Sequence, residues 1–279
     1  KRLRASILAG GYDAVVCVHL FPALMLTFIQ RESPLPVKTM FIATDYTASP
    51  SCDRMRLDTC VIPDIALTDT FVKNGVNPDT IAPLGIPVRA ELYACQPNQE
   101  AKRAVGLDPS HRHLLMMTGS MGCGPMEEIT EVLRGKMGTN DVLSVACSKN
   151  ETLLKKLTKL SADCPNIRIL GQIDDVPKLM QATDVFLTKP GGLSTSEAAA
   201  SGLPMVLIDA VAGCEEHNLD YFLRAGMAVT GDTPEKIADL ALHLAHDEKK
   251  LSAMRRTMQA ANARPAAEAI YDWLQTHHA

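Results

Sequence analysis

The sequence predicts an α/β protein built from two Rossmann-like lobes. Three observations predict this class: a length of 279 residues, an ordinary globular composition, and short apolar runs that alternate with helical patterns along the chain. Such alternation is typical of parallel βαβ units. A chain of this length can bury the cores of two modest domains, so we expect a folded protein rather than a disordered one.

A polar stretch divides the alternation into two series. The first series ends in GIPV at residues 85–88, and the second restarts at HLLMMTG. We therefore predict a first lobe over residues 1–92, a second lobe over residues 93–262, and a C-terminal helix over residues 263–279 that crosses back to the first lobe. The first series offers fewer strands than the second, which predicts an incomplete first lobe.

Composition and charge exclude several classes of partner and site. A net charge of −4 leaves no basic field for nucleic acid. The eight cysteines include no CxxC pair, which is typical of reduced thiols and predicts a cytoplasmic protein. The histidines lack the spacing of a metal shell, so no metal site is predicted. The most apolar stretch, residues 12–29, contains Asp13, His19 and Pro22, which predicts a strand and a helix rather than a membrane span.

A first glycine-rich turn follows the strand HLLMMTG. It runs from Gly119 to Gly124, and Pro125 then opens an amphipathic helix. Unpaired N–H groups at such a helix start suit a phosphate or a diphosphate. The spacing matches neither GxGxxG nor a P-loop, so neither a dinucleotide fingerprint nor a nucleoside-triphosphate loop is predicted. A tight turn without a ligand stays an alternative.

A second glycine motif, TKPGGLSTSE, occupies residues 188–197. An apolar strand ends in the Pro-Gly-Gly turn, and Ser194 or Thr195 is placed to cap the next helix. The carboxylate of Glu197 only accepts hydrogen bonds, so it suits two neighbouring ribose hydroxyls. The alternative is a capping box, because Ser194 and Glu197 have the required three-residue separation.

Polar residues also follow other predicted strands. The segment GCEEHN comes after PMVLID, and it either contacts sugar hydroxyls or simply begins a helix. In the first lobe, His19 and Asp45 stand at strand ends and are the candidate catalytic residues. The structural alternatives are a hydrogen-bonded histidine and a helix N-cap at Asp45.

Several segments together resemble one known family. Taken in order, TDYT, GIPV, GSMGCG, CSKNE, GQIDDVPKLM, TKPGGLSTSEA and GCEEHN resemble the monogalactosyldiacylglycerol synthase and processive diacylglycerol glucosyltransferase family. The resemblance implies a GT-B fold with a UDP-sugar donor in the second lobe. It also implies inverting transfer of a hexose to a lipid acceptor, diacylglycerol, without a metal or cofactor, at a peripheral membrane surface.

The resemblance assigns roles to individual residues. Gly119, Ser120 and Gly122 face the diphosphate, Gln172 and Ile173 lie against the uracil, and a carboxylate or imidazole of the first lobe, Asp45 or His19, takes the acceptor proton. The predicted donor contacts are Gly119, Ser120, Gly122, Asn150, Gln172, Ile173, Lys189, Gly191, Gly192, Leu193, Ser194, Glu197, Glu215 and Asn218.

This sequence departs from the family pattern in ways that keep alternatives open. Cys214 stands where the family has glutamine, and the family's glycine-rich N-terminal loop with its histidine has no counterpart. One alternative is a donor-binding half that is inactive without a further segment or a partner chain. Another is a UDP-sugar 2-epimerase. The basic residues Lys249, Lys250, Arg255 and Arg256 predict a membrane contact, against the alternative of a solvated helix face.

Overall fold

The computed structural model describes residues 1–93, 98–119 and 124–276, and the chain divides into two compact units. The first unit comprises Lys1–Pro87 with the C-terminal segment from Arg264 onward, and the second comprises Val88–Ala263. The first unit thus ends at Pro87 rather than at residue 92. The reason is local: Gly85 N donates to Ile62 O in the first unit at 3.2 Å.

Helices and strands alternate along the chain. The helices are α1 (Arg2–Gly10), α2 (Leu20–Glu32), α3 (Thr68–Lys73), α4 (Asn98–Ala104), α5 (Met126–Lys136), α6 (Glu151–Leu160), α7 (Val176–Gln181), α8 (Gly192–Ala200), α9 (Cys214–Arg224), α10 (Pro234–His246), α11 (Glu248–Ala261) and α12 (Ala266–Thr276). The strands are β1 (Ala14–Cys17), β2 (Lys38–Ile42), β3 (Thr59–Val61), β4 (Ile81–Ala82), β5 (Arg112–Met117), β6 (Asp141–Ala146), β7 (Ile167–Leu170), β8 (Val185–Thr188), β9 (Met205–Leu207) and β10 (Ala228–Thr230). The predicted α/β class with two parallel sheets is confirmed.

The first unit contains a four-stranded parallel sheet in the order β1-β2-β3-β4. Met40 and Val61 of this sheet pack with Ile270 of α12 in one apolar cluster. The indole N–H of Trp273 donates to Thr59 Oγ1 at 3.4 Å. These contacts join the C-terminal helix to the first sheet.

The second unit contains a six-stranded parallel sheet in the order β10-β9-β8-β5-β6-β7. Counted from β5 as the first strand, this is the doubly wound order of a Rossmann fold. Strands β5, β6 and β7 follow one another toward one edge of the sheet, and β8 then pairs with the other side of β5. The strand order therefore reverses between β5 and β8.

The central strands of the second sheet are mainly apolar because helices cover both faces. Leu114 and Met116 of β5, and Val185 and Leu187 of β8, are fully buried in one large core. Amphipathic helices supply the rest of that core, with Ile129 of α5 among the fully buried residues. This packing fixes the two strands whose ends form the site described below.

A buried ion pair between α4 and the residue before β8 lies beside the beginnings of the same two strands. Lys102 Nζ lies 2.7 Å from Asp184 Oδ2, and both side chains are almost fully buried. The same carboxylate oxygen accepts from His113 N at 2.7 Å. Burial lowers the pKa of His113 to about 4, so its ring is neutral near neutral pH. This polar network fixes the register of β5 against β8 at the end of the sheet opposite the site.

Candidate functional site

The carboxyl ends of β5 and β8 lie side by side in the middle of the second sheet. Met116 pairs with Leu187 in the parallel register, so β5 runs into Gly119 next to the point where β8 runs into Lys189. Open parallel sheets bind ligands at the carboxyl ends of strands where the strand order reverses. Gly119 and the Pro-Gly-Gly turn therefore lie at the edge where a ligand is expected.

The Pro-Gly-Gly turn leads directly into α8. The N-cap residue is Gly191, and no side chain among the described residues caps the helix. The hydroxyls of Thr195 and Ser196 donate backward, to Gly191 O at 2.8 Å and to Gly192 O at 2.6 Å. The predicted cap at Ser194 or Thr195 is therefore wrong, because the two glycines let the helix begin earlier. The first N–H groups of α8 are left for a ligand.

The first glycine turn leads into α5 in a similar way. Gly119 has φ +81° and Gly124 has φ +98°, a conformation that favours glycine. Pro125 is the N-cap residue, again without a side-chain cap among the described residues. Ser120 and Gly122, predicted to face a diphosphate, lie outside the described residues. The structure thus places a second uncapped helix start beside that of α8.

Glu197 lies in the second turn of α8. Because the helix begins at Gly192, the capping box with Ser194 is wrong, and the carboxylate is not used by the helix start. Burial raises the pKa of Glu197, and the nearby charge of Arg89 opposes this increase. A partly desolvated carboxylate beside one cation is typical of a functional site. The sequence analysis missed Arg89. Its position directly after the motif GIPV is the one feature of the sequence that points to it.

Lys189 forms an ion pair at the end of β8. Its Nζ lies 3.1 Å from Asp209 Oδ2, and its side chain is only 16% exposed. Asp209 follows β9, the next strand of the sheet, and has φ +48°. The sequence analysis missed Asp209, although its position after PMVLID already placed it at the carboxyl end of a strand.

The segment GCEEHN begins α9. Glu216 Oε2 accepts from Gly213 N at 3.2 Å, so the helix-start alternative is correct for Glu216. Glu215 Oε2 accepts from Val211 N at 2.8 Å in the preceding loop. Asn218 is fully buried, and its Nδ2 donates to Pro190 O at 2.9 Å. Asn218 therefore fixes the Pro-Gly-Gly turn from behind.

The remaining predicted donor contacts lie along the same carboxyl edge. Asn150 Oδ1 accepts from Leu153 N at 3.0 Å and caps α6. The exposed Gln172 and the half-buried Ile173 follow β7 at the end of the sheet. Leu193 in the first turn of α8 is 56% exposed, and Ser194 beside it is half-buried. The structure brings Gly119, Lys189 and the Pro-Gly-Gly turn together, with Gln172 and Ile173 following the strand two places beyond β5.

The two candidate catalytic residues belong to the first unit. His19 is the N-cap of α2, and its Nδ1 accepts from Phe21 N at 3.2 Å. The hydrogen-bonded alternative for His19 is therefore correct, and a neutral ring in this arrangement carries its proton on Nε2. Asp45 is half-buried after β2, where no helix begins, so the N-cap alternative is wrong for it. A catalytic role for either residue stays a prediction.

The sequence is similar to known glycosyltransferases in both halves of the chain. Residues 1–88 match the family described as monogalactosyldiacylglycerol (MGDG) synthase, and residues 133–261 match glycosyl transferases group 1. The chain is 26% identical over 274 residues to the processive diacylglycerol beta-glucosyltransferase of Bacillus pumilus, covering 98% of this chain and 70% of that protein. The chain is a glycosyltransferase that is similar to these proteins over nearly its whole length.

Several solved proteins share the fold of this glycosyltransferase. MurG of Acinetobacter baumannii has a TM-score of 0.72 at 16% identity, over 98% of this chain and 76% of that chain. Anabaena Alr3699/HepE, solved with UDP, has a TM-score of 0.67 at 15% identity, over 99% and 82%. UDP-GlcNAc 2-epimerase of Neisseria meningitidis has a TM-score of 0.69 at 13% identity, over 99% and 79%. The predicted GT-B fold is confirmed.

Glu197 makes the stability of the glycosyltransferase depend on pH. A carboxyl group with a raised pKa binds its proton more tightly in the folded state, so its contribution to stability is lost as pH rises through that pKa. We expect Glu197→Gln to melt at a higher temperature than the wild type at neutral pH, with the difference disappearing near pH 4. Thermal melts followed by circular dichroism measure this.

The matched control is Glu131→Gln, which changes an exposed glutamate in the middle of α5. It should leave the melting temperature unchanged at both pH values. A stability difference for Glu197→Gln that is equal at the two pH values would contradict the assignment of a desolvated carboxylate.

Proposed function

We propose that this glycosyltransferase binds a UDP-sugar at the second sheet and transfers the hexose to diacylglycerol with inversion, without a metal ion or cofactor. One observation carries the proposal: the uncapped start of α8 stands at the strand-order reversal, with half-buried Glu197 one turn further along. The names of the relatives, which are diacylglycerol glucosyltransferases, support the acceptor. A structural neighbour solved with UDP supports the donor.

The proposed reaction places a growing charge at this site. The acceptor hydroxyl oxygen forms a bond to the anomeric carbon as the bond from that carbon to the β-phosphate oxygen breaks, so the electron pair leaves with UDP. Preorganised N–H groups at the starts of α5 and α8 stabilise such a charge, and the ammonium of Lys189 adds a cation. Glu197 accepts hydrogen bonds from the ribose hydroxyls.

The acceptor proton needs a base, and we propose Asp45 of the first unit. His19 uses Nδ1 as an acceptor for Phe21 N, so its neutral ring presents an N–H at Nε2 rather than a free lone pair. A carboxylate has two oxygens, and each can accept a proton. Asp45 is half-buried and follows the carboxyl end of β2, the end of a parallel strand at which ligands bind.

Two alternatives make different predictions. The epimerase fold is similar, but an epimerase interconverts UDP-sugars without an acceptor, and the sequence relatives favour transfer. A donor-binding half would bind UDP and transfer nothing to diacylglycerol. Incubation of UDP-glucose with diacylglycerol vesicles, followed by analysis of lipid and nucleotide products, separates the three functions.

Binding of UDP tests the donor site directly. We expect saturable binding by calorimetry, which Glu197→Ala weakens by about 1–3 kcal/mol because a ribose hydroxyl loses its acceptor. Glu131→Ala is the matched control and should bind UDP like the wild type. Folded wild-type protein that binds no UDP would contradict the proposed donor.

We further propose that α2 forms the membrane contact. Phe21, Met25 and Phe28 are 72%, 55% and 57% exposed and recur at helical spacing on one face. The guanidinium of Arg31 lies 5.8 Å from the Phe28 ring centroid. Exposed aromatic residues beside a cation fit an anionic lipid surface. No helix in the described residues is long and apolar enough to cross a bilayer.

The basic residues of α11 fit this role less well. Arg255 lies 3.6 Å from Glu248 and 3.9 Å from the buried Asp184, so its charge is used within the second unit. Lys249, Lys250 and Arg256 remain exposed on that helix. The solvated-face alternative therefore suits α11, while α2 offers both the apolar area and a cation.

Vesicle co-sedimentation tests the membrane contact. We expect the protein to bind vesicles that contain phosphatidylglycerol, and the Phe21→Ser/Phe28→Ser double variant to lose most of that binding, since each side chain contributes about 1.5–3 kcal/mol when buried. Ile65→Ser, at a residue of the same unit that is 73% exposed, should bind normally. Unchanged binding of the double variant, or self-association that Phe21→Ser/Phe28→Ser abolishes, would contradict a lipid contact.

A further inference from the structure

We propose that Asp209 is a positioning residue that holds the ammonium of Lys189 in place for the donor diphosphate. The inference rests on the proposed function and adds a residue to its site. Lys189 ends β8 at the strand-order reversal, and Asp209 follows β9, the strand that pairs with β8. Both residues therefore stand at the same carboxyl edge as the two glycine turns.

The carboxylate of Asp209 contacts two of the site's segments. Its Oδ2 lies 3.1 Å from Lys189 Nζ. The same oxygen lies 2.8 Å from the position that a Cβ at Gly124 would occupy. Since a side chain there would displace the carboxylate, the glycine leaves room for Asp209 at the end of the first turn. One oxygen thus lies close both to the ammonium of Lys189 and to Gly124.

The backbone of Asp209 supports this placement. Its φ of +48° is left-handed, and only Ser51 and Ser148 share positive φ among the non-glycine residues that the structure describes. Aspartate and asparagine tolerate this conformation better than most residues. The left-handed backbone at this residue therefore goes with the placement of its carboxylate beside Lys189.

Lysine needs such a partner more than arginine does. Its four-carbon stem has many rotamers, and an ammonium that is free to move contributes little to the orientation of a ligand. The Lys189 side chain is 16% exposed, against 43% for Asp209, so the cation is the more deeply placed member of the pair. An ammonium has three N–H donors, and Asp209 uses one, which leaves two for phosphate oxygens.

Asp209 also brings a negative charge close to the expected diphosphate. The two effects of Asp209 have opposite signs: holding Lys189 strengthens binding, and direct repulsion weakens it. If holding Lys189 dominates, loss of the Asp209 charge weakens UDP binding only while Lys189 is present. Without Lys189, the same loss removes repulsion alone and leaves binding equal or tighter.

A double-mutant cycle on UDP binding tests this inference. The variants are Asp209→Asn, Lys189→Met and the pair together, and the dissociation constant of UDP is measured by calorimetry. Asparagine tolerates the left-handed backbone of Asp209, so the variant keeps the backbone conformation. We expect Asp209→Asn alone to raise the dissociation constant by about tenfold, the size of one charge-assisted hydrogen bond. In the Lys189→Met background it should not raise it further.

Asp239→Asn is the matched control. Asp239 is 45% exposed in its ion pair with Lys136 at 2.6 Å, comparable with Asp209, and it lies on α10. This variant should bind UDP like the wild type. Equal weakening by Asp209→Asn in both backgrounds, or no weakening in the wild-type background, would overturn the positioning role. Wild-type protein that fails to bind UDP would instead overturn the proposed function.

Discussion

The reversal of strand order between β5 and β8 is the constraint on which the site depends. Parallel strands on either side of the reversal send their helices to opposite faces of the sheet, so the starts of α5 and α8 separate and leave a space between them. Both starts lack a side-chain cap among the described residues. The sheet thus presents two sets of N–H donors at one edge, and the described glycines Gly119, Gly124, Gly191 and Gly192 add no side chains there.

Two ion pairs and one hydrogen bond within the second unit hold the segments that form this edge. The buried Lys102–Asp184 pair fixes β5 against β8 at the opposite end of the strands. Asn218 holds Pro190 O from α9, and Asp209 holds Lys189 from the end of β9. A site that stabilises a charge without reorganising requires such rigid support.

The sequence predicted the fold class and both glycine turns because these depend on local patterns. Helix α6 (Glu151–Leu160) likewise begins directly after Asn150, a strong capping residue that is visible in the sequence. The predicted start of α8 was wrong for a related reason. Ser194 and Thr195 are good capping residues, but Gly191 is the N-cap and the helix already begins at Gly192. Contacts between distant segments carry no local signal. The Lys189–Asp209 pair and the charge of Arg89 beside Glu197 therefore emerged only from the structure.

The central claim is that the backbone N–H groups at the strand-order reversal bind the donor diphosphate. Glycine-selective ¹⁵N labelling tests it most directly, because glycines mark both turns of the site and also the first unit. On titration with UDP, we expect the amide signals of Gly119, Gly191 and Gly192 to shift strongly, while those of Gly11 and Gly75 stay in place. Saturable UDP binding that leaves Gly119, Gly191 and Gly192 unmoved would contradict the account.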